Sequence, residues 1–408
     1  MKIKIQSNFN NLIMELIIYA IFIVQFLPLV NVFGKLVVNG ISLLLLIAFL
    51  VVVLCINRRL SVEFLVILST SILYNLYCYH QCWRKYTSFW GFMIENTMCW
   101  GMILVGWFCL EYGNLRLKHG LSVLIKFVII FTAISSIIVL FSYPEACRGL
   151  GNGMKEVTNI SELELYRKNT ASWSITYGMT FAFPFFIAQY EEDKKRSSLF
   201  FLVVLLFFMV KCELMFALVY AICFLLYFGW EKIPNYIKVI SSILIFLCAV
   251  LIIFSAKDIV YWLYITLDGK VPKLTLLRIY QLYVTLQQNS LYGNFAGRFE
   301  LYFNSINSFF KHPLLGTIIS NQSMYTAIGL HSQILDMLAA TGIVVFIPVA
   351  YMFFYIIKRI SLKIKNTNVK KRFYFLILML ILFMILNPVY YSSCIFLIIF
   401  SYPFLIGK

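Results

Sequence analysis

Charge is scarce in this chain, and acidic charge scarcer still. Of 408 residues only 12% are charged, with 17 acidic against 34 basic side chains, while 62% are hydrophobic and 18% aromatic. A soluble domain carries about 25% charged residues, so two or three soluble domains of this total length would lack solvated surfaces. The sequence also lacks HExxH, GxSxG and a Walker lysine, which removes zinc-protease and α/β-hydrolase readings and leaves ATP-driven transport without support. Its ten cysteines form no CxxC pair and lie mostly in apolar runs, as Cys55, Cys99, Cys109, Cys223, Cys248 and Cys394 do. They read as small apolar residues, with no disulfide framework and no metal site. With no internal repeat and no low-complexity linker, residues 1–408 read as one integral-membrane domain.

Long apolar runs fill the chain instead. Each stretch of 18 or more apolar residues can cross roughly 30 Å of hydrocarbon. The expected spans are Leu12–Val30, Leu36–Ile56, Leu60–Tyr79, Phe92–Leu110, Leu121–Phe141, Ser172–Tyr190, Val239–Ser255, Leu335–Ile357, Phe373–Leu386 and Val389–Leu405, with a longer run, Leu199–Trp230, interrupted by Lys211-Cys212-Glu213. Lys2 and Lys4 precede the first span as they would in a signal peptide, but that run is long and no small-x-small cleavage site follows, so an uncleaved span is expected.

The net charge of +17 could suggest nucleic acid, yet the basic residues sit in short clusters between apolar runs, such as Arg58-Arg59, Lys194-Lys195-Arg196 and Lys370-Lys371-Arg372. That is the positive-inside pattern of a membrane protein, and no nucleic-acid partner is expected. The same rule decides the long run. If it breaks near Lys211 into two short helices, the chain has about 12 transmembrane helices with both termini cytoplasmic. The short outer turns then hold only Lys35, Arg84, Lys85 and Lys211, and the inner ones hold the remaining clusters, including the seven Lys and Arg between Lys358 and Arg372. Two long segments fall outside, 142–171 and 256–334. Long structured loops are uncommon unless functional. Within the second, Phe299, Phe303, Ile306 and Phe310 recur at helical spacing, opposed by Glu300, Asn304, Asn307 and Lys311, which suits an amphipathic helix in the outer interface ended by His312-Pro313. Leu274–Gln287 is a second amphipathic candidate. The expected fold is all-α and polytopic, with its polar chemistry on the outer face.

Arginine carries most of that chemistry. Arg148, Arg167, Arg278 and Arg298 all fall in the outer segments, and guanidinium binds phosphate oxygens in a bidentate way without a metal. Solvated or headgroup-facing charge is the plain alternative for each alone. His331, where the chain re-enters the membrane, suits either of two roles, donor to a phosphate or acceptor of a hydroxyl proton. Among charges within or between spans, Glu95, Lys211 and Glu213 fall toward the outer half, and Asp336 follows His331 by five residues, on another helix face. The run Arg148-Gly149-Leu150-Gly151-Asn152-Gly153 has alternate glycines, but an apolar helix precedes it where a nucleotide fingerprint needs a strand.

Arg298 opening an amphipathic segment, His312-Pro313-Leu314-Leu315-Gly316, and then His331-Ser332 followed by Leu335-Asp336, Leu338-Ala339 and Gly342-Ile343 resembles the O-antigen polymerase and ligase superfamily, O-antigen and capsular polysaccharide polymerases in particular. The matching stretch covers about 46 residues, and the hydropathy layout agrees along the chain. The resemblance implies a bacterial inner-membrane glycosyltransferase acting at the outer leaflet on undecaprenyl-pyrophosphate-linked oligosaccharide, without cofactor, metal or nucleotide sugar. It also implies a setting of membrane lipid, a flippase and a chain-length regulator. His331 and Arg298 would be catalytic, and Arg278, Arg167, Arg148, Lys211, Glu213 and Asp336 would bind pyrophosphate or glycan. The Arg-x10-Gly pattern described for such polymerases is met by Arg167 and Gly178, but Phe309 stands eleven residues past Arg298. Where the family often carries Ser-Arg, this chain reads Lys211-Cys212-Glu213. A glycan ligase and a lipid-linked oligosaccharide flippase are the alternatives.

Overall fold

The computed structural model describes residues 2–56, 60–85, 90–150, 160–194, 196–271, 273–319 and 324–406. Arg58, Arg59, Gly151 to Gly153, Lys195 and Lys408 lie outside the described residues.

All regular structure among the described residues is helical. Five helices come first, α1 (Lys2–Phe26), α2 (Lys35–Ile56), α3 (Val62–Lys85), α4 (Trp90–Tyr112) and α5 (Leu115–Ser142). Two short helices, α6 (Ala146–Gly149) and α7 (Ile160–Arg167), fill the first polar segment. Next come α8 (Trp173–Asp193), α9 (Arg196–Lys211), α10 (Met215–Lys232) and α11 (Asn235–Leu267). The second polar segment holds α12 (Lys273–Gln288), α13 (Asn294–Lys311) and α14 (Met324–Ala327). The last three are α15 (Gln333–Lys363), α16 (Thr367–Leu386) and α17 (Cys394–Ile406). Four segments are long and apolar enough to cross a membrane, Val37–Cys55, Leu115–Ser142, Met215–Lys232 and Gln333–Lys363, and Leu12–Phe26, Val62–Tyr77 and Cys394–Ile406 are shorter apolar helices. This architecture is compatible with a multi-pass membrane protein.

The centre of the bundle is α17. Every residue from Cys394 to Leu405 is buried, as expected of a helix apolar on all faces, and it packs chiefly on α4 and α8. Glycines permit the approach: a Cβ at Gly106 would lie 2.6 Å from Phe400 Cβ, and one at Gly178 2.5 Å from Cys394 Sγ. Gly178, the glycine that stands eleven residues past Arg167, therefore has a packing role inside the bundle. An aromatic seam joins α8, α10 and α16, with Tyr177, Phe181 and Tyr220 around the ring of Phe383 at 4.6, 5.6 and 5.5 Å.

The long apolar run divides as the charge count requires. Glu213 has φ 53°, a left-handed value, between α9 and α10. The second outer segment differs from expectation at its start, because α11 runs 33 residues without interruption through Ser255-Ala256. That length is about 50 Å, well beyond a bilayer core, so Lys257 and Asp258 break the hydropathy without breaking the helix. The helix then turns back into α12, with Tyr261 against Tyr283 and Tyr264 against Tyr280 at 5.0 and 5.4 Å.

The two ends of the bundle differ in how charge is handled. At one end acids and bases pair: Glu15 with Arg116 at 3.1 Å, Glu63 with Arg359 at 2.8 Å, Glu111 with Lys363, and Glu191 with both Lys232 and Arg372 at 2.7 Å. Arg372, also bonded to Glu231, lies over the Phe228 ring at 4.1 Å. The helices α5, α9 and α15 begin or finish at this end and carry the remaining polar groups to the other.

Candidate functional site

The opposite end gathers residues that are distant in sequence. Arg148 lies in α6, Arg278 in α12, Arg298 in α13, Glu213 in the turn before α10, and His331 just ahead of α15. Burial, followed by the charges of Arg148 and Arg298, holds Arg278 below the ordinary arginine range. The hydroxyl of Tyr177, on α8, senses the same three guanidinium groups. Arg298 rests over the Phe216 ring at 5.5 Å, and its charge acts on the phenol of Tyr302, whose hydroxyl donates to the Leu386 carbonyl at 2.9 Å. Burial raises Tyr302 while Arg298 opposes the rise. Among the ion pairs of the described residues, none includes Arg148, Arg278 or Arg298. Three cations that repel one another without a carboxylate partner form a site complementary to a multiply charged anion.

Glu213 faces this cluster. Burial first, then the charge of Glu145, raises its carboxyl above the usual range, while Arg278 and Arg148 oppose the shift.

His331 is held on the same side. Its Nδ1 is 3.1 Å from the carbonyl of Gly329. A carbonyl only accepts, so Nδ1 carries the proton, and Nε2 of the neutral ring keeps its lone pair. Burial lowers the imidazole below its ordinary value, and the charge of Arg298 adds to the effect. The ring is thus a neutral acceptor at pH 7.

The loop that presents His331 is organised by Asp336. Its Oδ1 accepts from Ser305 Oγ at 2.6 Å and from the Leu330 amide at 3.2 Å, and its Oδ2 from the Ser332 amide at 3.0 Å. Ser332 in turn caps α15 by accepting from the Leu335 amide. Asp336 is fully buried with both oxygens engaged, which corrects its expected place among the substrate-binding residues: it anchors the loop to α13. Gln333 completes the anchorage by bonding Asn96 at 2.8 Å and accepting from the Tyr390 amide at 2.7 Å.

The His312-to-Gly316 motif and Gly342 meet each other. The helix α15 is broken at Gly342, with φ 66° and ψ 179°, and the amides of Ile343 and Val344 donate to the carbonyls of Pro313 and Leu314 at 2.9 and 3.2 Å. A Cβ on Gly316 would lie 2.2 Å from the Ala340 carbonyl oxygen, and one on Gly342 2.3 Å from that of Leu314. The turn from Pro313 to Gly316 is therefore seated against the helix break, and backbone groups that a break would expose are paired.

Two expected residues stand apart from the site. Arg167 is exposed at the end of α7, and is not among the charges felt by Arg278, Tyr177 or Glu213. Lys211 reaches the rings of Phe141 and Phe207 at 4.8 and 5.9 Å. Glu95 is buried in α4. Sequence reasoning missed Tyr177, Phe216 and Tyr302, aromatic residues in helical stretches with nothing local to distinguish them from core. Nearby, an apolar cleft of about 110 Å³ between α4, α15, α16 and α17 is lined by Trp100, Met337, Phe346, Phe353 and Met384, with Asn96 and Gln333 as polar members.

The amphipathic helix α13 has three faces. Leu301, Ser305 and Ser308 turn toward the protein, Phe299, Phe303 and Phe310 are exposed, and Glu300, Asn304 and Asn307 form a polar flank. An exposed phenylalanine stripe beside a polar one suits a helix lying in a lipid interface.

No family model, curated protein or solved structure matches this chain.

Proposed function

We propose that the chain is a membrane glycosyltransferase that joins undecaprenyl-pyrophosphate-linked oligosaccharide units into a polysaccharide of the O-antigen or capsular type. In this reading it crosses the bacterial inner membrane about 12 times, with both termini cytoplasmic and the arginine site on the outer face. The observation that carries it is the convergence of Arg148, Arg278 and Arg298, without carboxylate partners in the described ion pairs, beside a neutral His331 with Nε2 available. A pyrophosphate leaving group needs the first, and a hydroxyl nucleophile needs the second.

The step balances as follows. A hydroxyl oxygen on the non-reducing sugar of one unit attacks the anomeric carbon of the growing chain, and the new C–O bond forms opposite the leaving group, so the configuration inverts. The bond from that carbon to pyrophosphate breaks with its electron pair, and the arginines stabilise the charge that develops on the departing oxygen. The hydroxyl proton passes to Nε2 of His331. The apolar cleft beneath Gln333 suits part of an isoprenoid tail. Pairing of acids with bases at the opposite end of the bundle accords with the cytoplasmic assignment of the basic clusters.

Loss of one charge-stabilising donor from such a site slows transfer by on the order of 100-fold or more. Arg298→Ala and His331→Ala should each abolish polymer while the protein still reaches the membrane, and wild-type polymer in both would sink the assignment. A glycan gel of cells lacking the gene, with and without a plasmid copy, tests the reaction itself. Loss of the ladder with survival of a single-unit band supports the polymerase. Long polymer still on its lipid carrier would indicate a ligase, and units trapped on the inner leaflet a flippase.

A further inference from the structure

Two buried polar atoms of the arginine cluster lack a hydrogen-bond partner, Nη1 of Arg148 and Oε2 of Glu213. The groups they belong to are opposite in charge and act on each other, yet no ion pair among the described residues joins them. An unpaired buried charge is costly, so both atoms call for a partner. Arg148 stands in the single turn of α6, and Glu213 sits at φ 53° in the tight break between α9 and α10, a conformation unfavourable for a residue other than glycine. Strain of this kind at a break lined by charge is a mark of functional placement.

An unpaired donor and an unpaired acceptor in one cluster select a ligand that offers the complementary groups together. Inorganic pyrophosphate presents only acceptor oxygens and would be repelled by Glu213. A neutral sugar would leave Arg148 without its anion. A glycosyl phosphate meets both demands, since a hydroxyl or amide N–H lies one carbon from the anomeric centre and hence close to the phosphoryl oxygens.

The geometry points to Arg148 and Glu213 as the reader of the sugar bonded directly to pyrophosphate, with Arg148 Nη1 donating to the proximal phosphoryl oxygen and Glu213 Oε2 accepting from the hydroxyl or N–H beside the anomeric carbon. This rests on the proposed use of a lipid-pyrophosphate donor, and it names the part of that donor which the site selects. Lys211-Cys212-Glu213, which departs from the Ser-Arg pair of the family it resembles, thereby acquires a role: the break carries an acceptor for a sugar where a further cation would only add to phosphate affinity.

The test uses the full chain in lipid nanodiscs and two probes, farnesyl pyrophosphate and farnesyl-pyrophosphoryl-N-acetylglucosamine. Wild-type protein should bind the glycosylated probe more tightly. Glu213→Ala should weaken the glycosylated probe by about tenfold and leave farnesyl pyrophosphate unweakened, Glu213→Gln should restore much of the loss, and Arg148→Ala should weaken both. A structural role for Glu213 would instead lower binding of both probes together, and that result, or equal binding of both probes by Glu213→Ala and wild type, overturns the inference. Failure of wild-type protein to bind either probe overturns the donor reading beneath it. Binding of both that disappears in Arg298→Ala keeps the donor reading whatever Glu213 does.

Discussion

At the scale of single residues, the hydrogen bond from Nδ1 of His331 to the Gly329 carbonyl determines which nitrogen can take a proton, and burial determines when. The sign is set by the direction of the shift. A histidine lowered below its ordinary value of about 6.5 stays neutral to a lower pH, so the base function proposed for it would persist through mild acid and be lost only as pH falls through the folded value. The rate of glycosyl transfer in proteoliposomes should therefore show an acid limb with its midpoint below about 6.5. Because the charge of Arg298 contributes to the lowering, any residual transfer by Arg298→Gln should lose activity at a higher pH than wild type does. A wild-type midpoint above the ordinary value would contradict the neutral-acceptor role. His331 could be singled out in the sequence as a candidate, but its tautomer could not, since the partner is a backbone carbonyl. Asp336 was legible as a buried charge and misleading as a ligand, because its three donors come from α13 and from the loop ahead of α15.

At the scale of elements, the pairing of the His312–Gly316 turn with the break in α15 is the contact on which the site's placement depends. Gly342→Ala would put a side chain in a conformation reserved for glycine and 2.3 Å from the Leu314 carbonyl oxygen. The expected cost is about 2 kcal/mol or more, read as a lower unfolding temperature in detergent together with loss of transfer. Gly297→Ala is the control: it lies in α13 with nothing within 4 Å of an added Cβ, and a helix gains roughly 0.5–1 kcal/mol from this exchange. Equal melting temperatures for the two variants would mean that the break carries no strain. Helical periodicity was sufficient to foresee α12 and α13, and the charge count to foresee the division of the long run. It could not foresee the helix break, because Gly342 lies within a continuous apolar pattern and the compensating hydrogen bonds come from residues about 30 positions earlier. Nor could it foresee the length of α11, since hydropathy reports where lipid ends and not where helix ends.

At the scale of the whole molecule, the two ends are distinct in chemistry, and their sidedness can be measured. In a cysteine-free background, Gly297→Cys on the arginine end should react with a membrane-impermeant maleimide in intact cells, and Lys365→Cys, exposed between α15 and α16, only after permeabilisation. The reverse pattern would invert the topology and place the arginines in the cytoplasm. Charge counting anticipates this arrangement from the sequence, because it is a sum over many residues and tolerates local error. The convergence of Arg148, Arg278 and Arg298 depends on where the fold places α6, α12 and α13, and no pairwise spacing encodes it; the same applies to Arg167, whose position outside that convergence has no local sign.

The burial of α17 on every face has a consequence in time. Among the helices described it is the last to leave the ribosome, yet it is the one that the earlier helices enclose. Until it arrives, α4 and α8 display the small-residue hollows at Gly106 and Gly178 that later receive Phe400 and Cys394. Its 13 residues reach about 20 Å, short of a bilayer core, so its neighbours retain it more than lipid does. Assembly of the bundle cannot proceed by simple addition from first helix to last. The early helices must wait, loosely associated, for their own centre to be made.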